Sequence, residues 1–162
     1  MTSLTASTRH NLDQQGFGDL DDESKSRYRW PLRFTPGVGT CLIVIGLGLQ
    51  SPIWLGSMAL VAVSGALFPS AMLIDLGYNL GIRHLFRAPA LPPTPKPRRF
   101  SYLLSTLLLA GSAVSFSSGR PVLGWMLGGM VVIGGAILAS TLWCLGSWFY
   151  RLGFASGDLG GQ

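Results

Sequence analysis

The sequence has little charge, and the charge that it has is unevenly placed. Charged residues make up 12% of the 162 residues, which is about half the share usual in soluble domains. Residues 34–74 contain no charged side chain, and residues 100–150 contain only Arg120. Uncharged runs of this length would leave a soluble globule without a solvated face. Together with a mean hydropathy of +0.42, they exclude an ordinary soluble domain and favour a membrane protein.

The residue types that carry most enzyme chemistry are also scarce. Two histidines and two cysteines are too few for a His-rich metal cage or a disulfide framework. The sequence contains no phosphate-binding Gly-rich loop with a following Lys, no Ser-His-Asp set and no cluster with metal-ligand spacing. It therefore favours a protein that is not an enzyme, and we predict no catalytic residue, no metal and no cofactor.

Each apolar run is about twice the roughly 20 residues that a helix needs to cross a bilayer. Each run also has a turn signal near its middle, at Gln50-Ser51-Pro52 and at Gly119-Arg120-Pro121, and proline suits the first turn of a new helix. We therefore predict an all-α, polytopic membrane protein with four transmembrane helices in two hairpins. The predicted helix limits are 35–50, 52–74, 100–117 and 121–147.

The polar segments divide the chain further. Residues 1–24 are rich in Ser, Thr, Asp and Gln, a composition that buries too little apolar surface to order itself. Five prolines within residues 88–97 indicate a semi-rigid spacer. We predict a disordered cytoplasmic tail with a juxtamembrane basic cluster (1–29), a first hairpin (30–74), an interfacial helix with a Pro-rich loop (75–99), a second hairpin (100–150) and a cytoplasmic tail (151–162).

The basic residues predict the orientation. Four crossings place eleven of the twelve lysines and arginines on one side of the membrane and Arg120 alone on the other. Because cytoplasmic segments carry the excess of Lys and Arg, we expect both termini and the central loop in the cytoplasm. Bases next to a membrane bind anionic headgroups, so the expected partner of this cluster is the lipid bilayer and not nucleic acid.

Small residues lie near one face of the fourth predicted helix. The spacing of Gly124 and Gly128 is the one that lets two membrane helices approach closely. Either this face packs inside the bundle or it contacts another membrane protein. The helix-packing residues are Gly124, Gly128, Gly135, Ala139 and Gly146.

Cys41 and Cys144 are candidate redox thiols. Each lies about six residues from a predicted cytoplasmic helix end, so the two share a depth and are neighbours if the first and fourth helices pack together. The alternative is two inert apolar thiols, because cysteine is common in protein interiors. No cation lies beside Cys144 in the sequence to favour its thiolate.

Polar residues that border the apolar runs form a further predicted group. Asp75 is the one acid near the membrane, and we expect it to form an ion pair or to lie at headgroup level. The interfacial polar residues are Asp75, Asn79, Arg83, His84, Arg98 and Arg99.

Several stretches resemble a bacterial family of small four-helix integral membrane proteins known only as a domain of unknown function. They include the entry Arg98-Arg99-Phe100 to the third helix and the exit Cys144-x-x-Ser147-x-x-Tyr150 of the fourth, and the resemblance covers roughly residues 30–152. It implies a multi-pass protein of the bacterial inner membrane, or of an internal membrane continuous with it. In parts of the family the exit looks like Cys-x-x-Cys, and a Cys-Pro pair precedes the first helix. This chain has Ser147 and Trp30-Pro31 instead.

Three functions remain open on the sequence. The preferred one is a non-enzymatic accessory or scaffold subunit of a membrane complex, with another membrane protein as its partner. The second is a membrane thiol protein that exchanges electrons or disulfides with a cytoplasmic thioredoxin-like partner. The third is a component of a small-solute transporter.

Overall fold

A computed structural model describes residues 5–13, 17–18, 20–68, 73–82, 95–145 and 147–149. Within these ranges the chain is helical and contains no strand. A short π-helical turn, Tyr78–Ile82, follows the fourth helix. In chain order the helices are α1 (Ala6–Leu12), α2 (Asp22–Gly48), α3 (Pro52–Leu67), α4 (Leu73–Gly77), α5 (Lys96–Ser117) and α6 (Pro121–Thr141).

The first long helix, α2, begins 13 residues before the predicted start at residue 35. Asp22 and Glu23 occupy its first turn, where carboxylates interact favourably with the positive end of the helix dipole. Residues 6–12, which the composition predicted to be disordered, form α1. Leu12 and Phe17 bury their side chains against Leu32 and Leu142, so two isolated apolar residues anchor a segment that is otherwise polar.

The helix α3 is shorter than predicted. Ser51 caps its start by accepting a hydrogen bond from the backbone of Trp54, and Pro52 fills the first position. The helix ends at Leu67, seven residues before the predicted limit of 74, because Phe68 is extended. Phe68 precedes Pro69, and a residue before proline is disfavoured in the helical conformation.

The second hairpin follows the predicted turn closely. The helix α5 ends at Ser117, as predicted, but begins at Lys96 within the Pro-rich stretch. Gly119 takes a φ of 69° in the turn, a conformation that glycine adopts without strain. The helix α6 ends at Thr141 and not at residue 147, because Leu142 turns left-handed with a φ of 56°.

The four longer helices form a bundle. The helix α2 packs mainly on α6, α3 packs mainly on α5, and α5 packs on α6, whereas α2 and α3 share a smaller contact. Trp54 joins α3 to α2 by donating its indole hydrogen bond to the carbonyl oxygen of Leu42 at 2.8 Å. The buried core consists of Ile43, Leu47, Leu55, Ala59, Leu109 and Ala113.

Three helices are long and apolar enough to cross a membrane: α2, the Arg98–Ser117 part of α5, and α6. The helix α3 has 16 residues, which span about 24 Å at 1.5 Å per residue, less than a hydrocarbon core of about 30 Å. Large apolar side chains cover the outside of the bundle. Examples that are more than half exposed are Ile53, Leu60, Leu107, Val122, Met126 and Ile133.

Candidate functional site

Polar side chains from four segments meet at the end of the bundle where α5 begins and α6 ends, which we call the basal end. They come from α2, α4, the first turns of α5 and the chain just after α6. We define the basal polar cluster as Thr35, Asp75, Arg98, Ser101, Tyr102, Cys144 and Ser147. Four of these residues, Asp75, Arg98, Cys144 and Ser147, are among the predicted site or motif residues. The other three, Thr35, Ser101 and Tyr102, were not among them.

Asp75 is held inside the protein and not at its surface. Its side chain is only 9% exposed, and the hydroxyl of Thr35 donates a hydrogen bond to its Oδ1 at 2.5 Å. Nearby, the rings of Phe34 and Tyr78 lie 5.4 Å apart between their centroids. These two contacts fix α4 and the following π-helical turn against α2.

Arg98 is buried beside Tyr102, one turn further along α5. Only 3% of Arg98 is exposed, and its guanidinium carbon lies 5.9 Å from the centroid of the Tyr102 ring, which is a cation–π distance. Arg98 also interacts electrostatically with Asp75 and with Cys144. A buried cation thus lies within electrostatic range of a buried carboxylate.

The two cysteines have different surroundings. Both are free thiols, and Cys41 is exposed on the outer face of α2. Cys144 is buried, and its Sγ lies 2.9 Å from the hydroxyl of Ser101. The fold brings Arg98 to Cys144 from another helix, so Cys144 has a cationic neighbour that its sequence surroundings do not show.

Three polar atoms of the cluster have no hydrogen-bond partner within the part of the chain that the structure describes. They are Arg98 Nε, the Tyr102 hydroxyl and Ser147 Oγ, and the Ser147 side chain is 0% exposed. Leaving one such group unpaired costs about 1–3 kcal/mol. Native proteins rarely leave several such atoms close together.

A cavity of about 270 Å³ lies next to the cluster, between α2, α3, α5 and α6. Thr35, Ser101, Tyr102 and Cys144 line it at the basal end. The remaining wall is mostly apolar, with Ile43, Met58, Leu109 and Val131 among its residues. Helical bundles build their ligand sites in this position, from side chains on facing helices.

Arg99, the neighbour of Arg98, has a structural task. Its Nε donates to the carbonyl oxygen of Ala66 at 2.7 Å, and its Nη2 donates to that of Leu67 at 3.2 Å. These are the last carbonyl groups of α3. The last carbonyl groups of a helix have no hydrogen-bond partner within the helix itself. Asn79 is half-buried in the π-helical turn. Arg83 and His84 lie outside the described residues.

The small residues of α6 face the inside of the bundle. A Cβ at Gly124 would overlap the ring of Phe116, one at Gly128 would overlap Leu47, and one at Gly135 would overlap Thr40. Ala139 is half-buried, and Gly146 lies outside the described residues. This face therefore brings α6 close to α2 and α5.

Chemically, the basal end offers a thiol, hydroxyls, a guanidinium and a carboxylate. In the described ranges, no group of three or more His, Cys, Asp or Glu side chains is placed to hold a metal ion. The sequence could have indicated Ser101 through its spacing from Arg98. The four-residue spacing of Arg98 and Tyr102 along α5 is a local signal that was missed. Thr35 carries no such signal, because its partner Asp75 lies on α4.

The comparison with family models gives one match. The family described as "Domain of unknown function (DUF4395)" matches residues 30–154, which covers every long helix except the first turns of α2. No curated protein and no solved structure matches the chain. The chain belongs to the DUF4395 family, a family of domains of unknown function.

Proposed function

We propose that the chain is a four-crossing protein of the bacterial cytoplasmic membrane, or of an internal membrane continuous with it. Three helices are long and apolar enough to cross a membrane, and α3 is the proposed fourth crossing. Its apolar outer face, with Ile53 84% exposed and Leu60 68% exposed, supports a position in lipid. A helix shorter than the hydrocarbon core is accommodated by local thinning of the bilayer.

In this arrangement the basal end faces the cytoplasm. The proposal follows from the excess of Lys and Arg on that side, since only Arg120 falls at the opposite end. Alkaline phosphatase, which is active only outside the cytoplasm, is fused after Ser118 or after Thr94. We expect activity for the Ser118 fusion alone. Activity after Thr94 with silence after Ser118 would reverse the orientation.

We further propose that the chain acts as a non-enzymatic accessory or scaffold subunit of a membrane complex. The observation that supports this role is a folded cap at the basal end, formed by residues 5–13 and the first turns of α2. Arg9 pairs with Asp22 at 2.5 Å, and Lys25 pairs with Asp13 at 2.7 Å. The side-chain amide of Asn11 donates to the carbonyl oxygen of Thr141 at 2.9 Å. The cap thus ties the N-terminal segment to the end of α6.

The cap is also the surface that is available to contact a partner protein. The glycine face of α6, the other surface suited to a second subunit, is occupied by α2 and α5. At the start of α2, Asp21, Asp22 and Glu23 are all exposed. They present consecutive acids on a segment that the contacts described above hold in place.

Co-purification tests this role. A tagged full-length chain is extracted from its native membrane in mild detergent, crosslinked and analysed by mass spectrometry. We expect a membrane protein partner in stoichiometric amount, and the yield of that partner falls when Asp22 and Glu23 are replaced by lysine. A monomer in native mass spectrometry without any specific crosslink contradicts the proposal.

The second candidate is a membrane thiol protein that serves a cytoplasmic thioredoxin-like partner. It is favoured by one observation, the contact of Cys144 with Ser101 next to Arg98, since reactive cysteines lie beside cations. Labelling with a membrane-permeant maleimide before and after oxidation tests it. This candidate requires labelling of Cys144 to fall after oxidation, and equal labelling together with full function of Cys144→Ser rejects it.

A further inference from the structure

We propose that the cavity between α2, α3, α5 and α6 holds one hydrocarbon chain of a bilayer lipid, which enters sideways through a gap between α5 and α6. The inference rests on the proposed position of the bundle in a membrane. It concerns an apolar ligand inside the bundle, and it is independent of any protein that contacts the cap.

The gap arises from the way α6 divides its contacts between two neighbours. Near the turn that joins α5 and α6, the two helices meet closely, since Ser112 donates to the carbonyl oxygen of Gly124 at 2.7 Å. Further from the turn α6 lies against α2, because a Cβ at Gly135 would overlap Thr40. A Cβ at the adjacent Gly134, which lines the cavity, would have nothing within 4 Å. The space beside α6 therefore opens toward the basal end.

The mouth of the cavity continues into the outer surface of the bundle. Leu104 of α5 and Met130 of α6 both line the cavity, and both are exposed, Met130 by 59%. Leu107 and Ile133, which follow them by three residues in each helix, are exposed apolar side chains as well. In a membrane this surface contacts acyl chains. A chain of a neighbouring lipid therefore reaches the cavity without crossing any polar group.

The wall of the cavity suits hydrocarbon. Among the described residues that line it, none carries a charge. At its basal end the Thr35 hydroxyl donates to Asp75 at 2.5 Å, and the Ser101 hydroxyl lies 2.9 Å from Cys144 Sγ. The hydroxyl oxygen of Tyr102 is inaccessible, so this residue contributes its ring to the wall. A bound water needs two to four polar partners, and a wall of this kind favours an apolar occupant instead.

The dimensions of the cavity suit a single chain. Along α5 the lining residues run from position 101 to position 109, and along α6 from 130 to 138, which is a rise of about 12 Å in each helix. The volume of about 270 Å³ is nearly twice that of an apolar cavity of about 150 Å³ that binds benzene. An elongated space of this volume accepts part of one extended chain. The head group and the second chain of the lipid stay in the bilayer.

Photoreactive lipids test the site. The purified full-length chain is placed in vesicles of phosphatidylcholine that contain a small fraction of phosphatidylcholine with a diazirine in the middle of one acyl chain. After irradiation, mass spectrometry of peptides measures adducts at Met58, which lines the cavity from α3, and at Ile133, which is 63% exposed on α6. We expect adducts at both positions. A lipid with the diazirine in its head group should not label Met58.

Variants locate the chain. In Gly134→Leu the new side chain fills the gap from α6, and we expect adducts at Met58 to be lost while adducts at Ile133 stay unchanged. Gly129 also faces open space but does not line the cavity, so Gly129→Leu is the matched control and should keep both adducts. Gly39→Leu fills the cavity from α2, where a Cβ would make only an ordinary van der Waals contact, and it should repeat the loss at Met58.

The reference position separates the possible failures. Adducts at Ile133 without adducts at Met58 in the native chain overturn the lipid site and leave the membrane position intact. Absence of adducts at both positions overturns the membrane position and the lipid site with it. Adducts at Met58 that persist in Gly134→Leu and in Gly39→Leu place the lipid outside the cavity and reject the proposal. Circular dichroism checks the fold of each variant, and Gly39→Leu decides the matter if Gly134→Leu does not fold.

Discussion

Replacing Gly128 by alanine should loosen the contact between α6 and α2. A Cβ at this position would overlap the end of the Leu47 side chain and would lie 3.1 Å from Ser112 Oγ. Leu47 is only 3% exposed and belongs to the buried core. It therefore moves only if the core around it moves.

The neighbouring residue provides the matched control. Gly129 has nothing within 4 Å of the position of a Cβ. Both substitutions gain roughly 1 kcal/mol of helix propensity, but only Gly128→Ala overpacks the interior, at a cost of about 1–3 kcal/mol. We expect Gly128→Ala to lower the free energy of unfolding by up to about 2 kcal/mol relative to the native chain. Gly129→Ala should raise it by up to about 1 kcal/mol.

Unfolding by sodium dodecyl sulfate in mixed micelles, followed by tryptophan fluorescence, measures this difference. Gel filtration before the titration checks that both variants are monodisperse. Equal midpoints for the two variants would refute the packing argument, because they would show that α6 does not approach α2 closely at Gly128.

Two further predictions concern single contacts. Ser112 is fully buried and donates to the carbonyl oxygen of Gly124 at 2.7 Å. Ser112→Ala should therefore cost about 1 kcal/mol in the same titration, while the exposed Ser117→Ala should cost little, and equal losses would contradict the assignment. Leu142 is 0% exposed in the apolar cluster that holds the N-terminal segment. Leu142→Ala should therefore lower the stability of this cluster by about 2–5 kcal/mol. The loosened segment should then expose Arg9 to trypsin. The exposed Leu145→Ala should leave the rate of cleavage at Arg9 unchanged, and a slow cleavage in both variants would show that Leu142 does not hold the segment.

The helical class and the two tight turns could be predicted because they rest on local signals. Long uncharged runs indicate apolar helices, and a proline after a polar turn marks where the next helix begins. The limits at 52 and 121 are the observed starts of α3 and α6. The sequence predicts that Pro69 kinks or ends this helix, but the limit of 74 was seven residues too late, because α3 ends at Leu67.

Other features depend on contacts between distant parts of the chain. The order of α1 relies on Leu12 meeting Leu142, 130 residues away, so composition alone indicated disorder. The role of Arg99 relies on carbonyls of α3 that precede it by more than 30 residues. Cys144 acquires its neighbours Ser101 and Arg98 in the same way. A charge or a hydroxyl group in the sequence shows what chemistry is present but not which group it meets.

Site-specific photocrosslinking in the native membrane tests the proposed accessory role most directly. A photoreactive amino acid replaces either Glu23, which is exposed in the first turn of α2 within the cap, or Val122, which is 74% exposed near the opposite end of the bundle. The proposal predicts a discrete crosslinked protein from position 23 and mainly lipid adducts from position 122. Lipid adducts or no adducts from both positions, with the chain present at its normal level, would contradict a role as a subunit that contacts a partner through its cap.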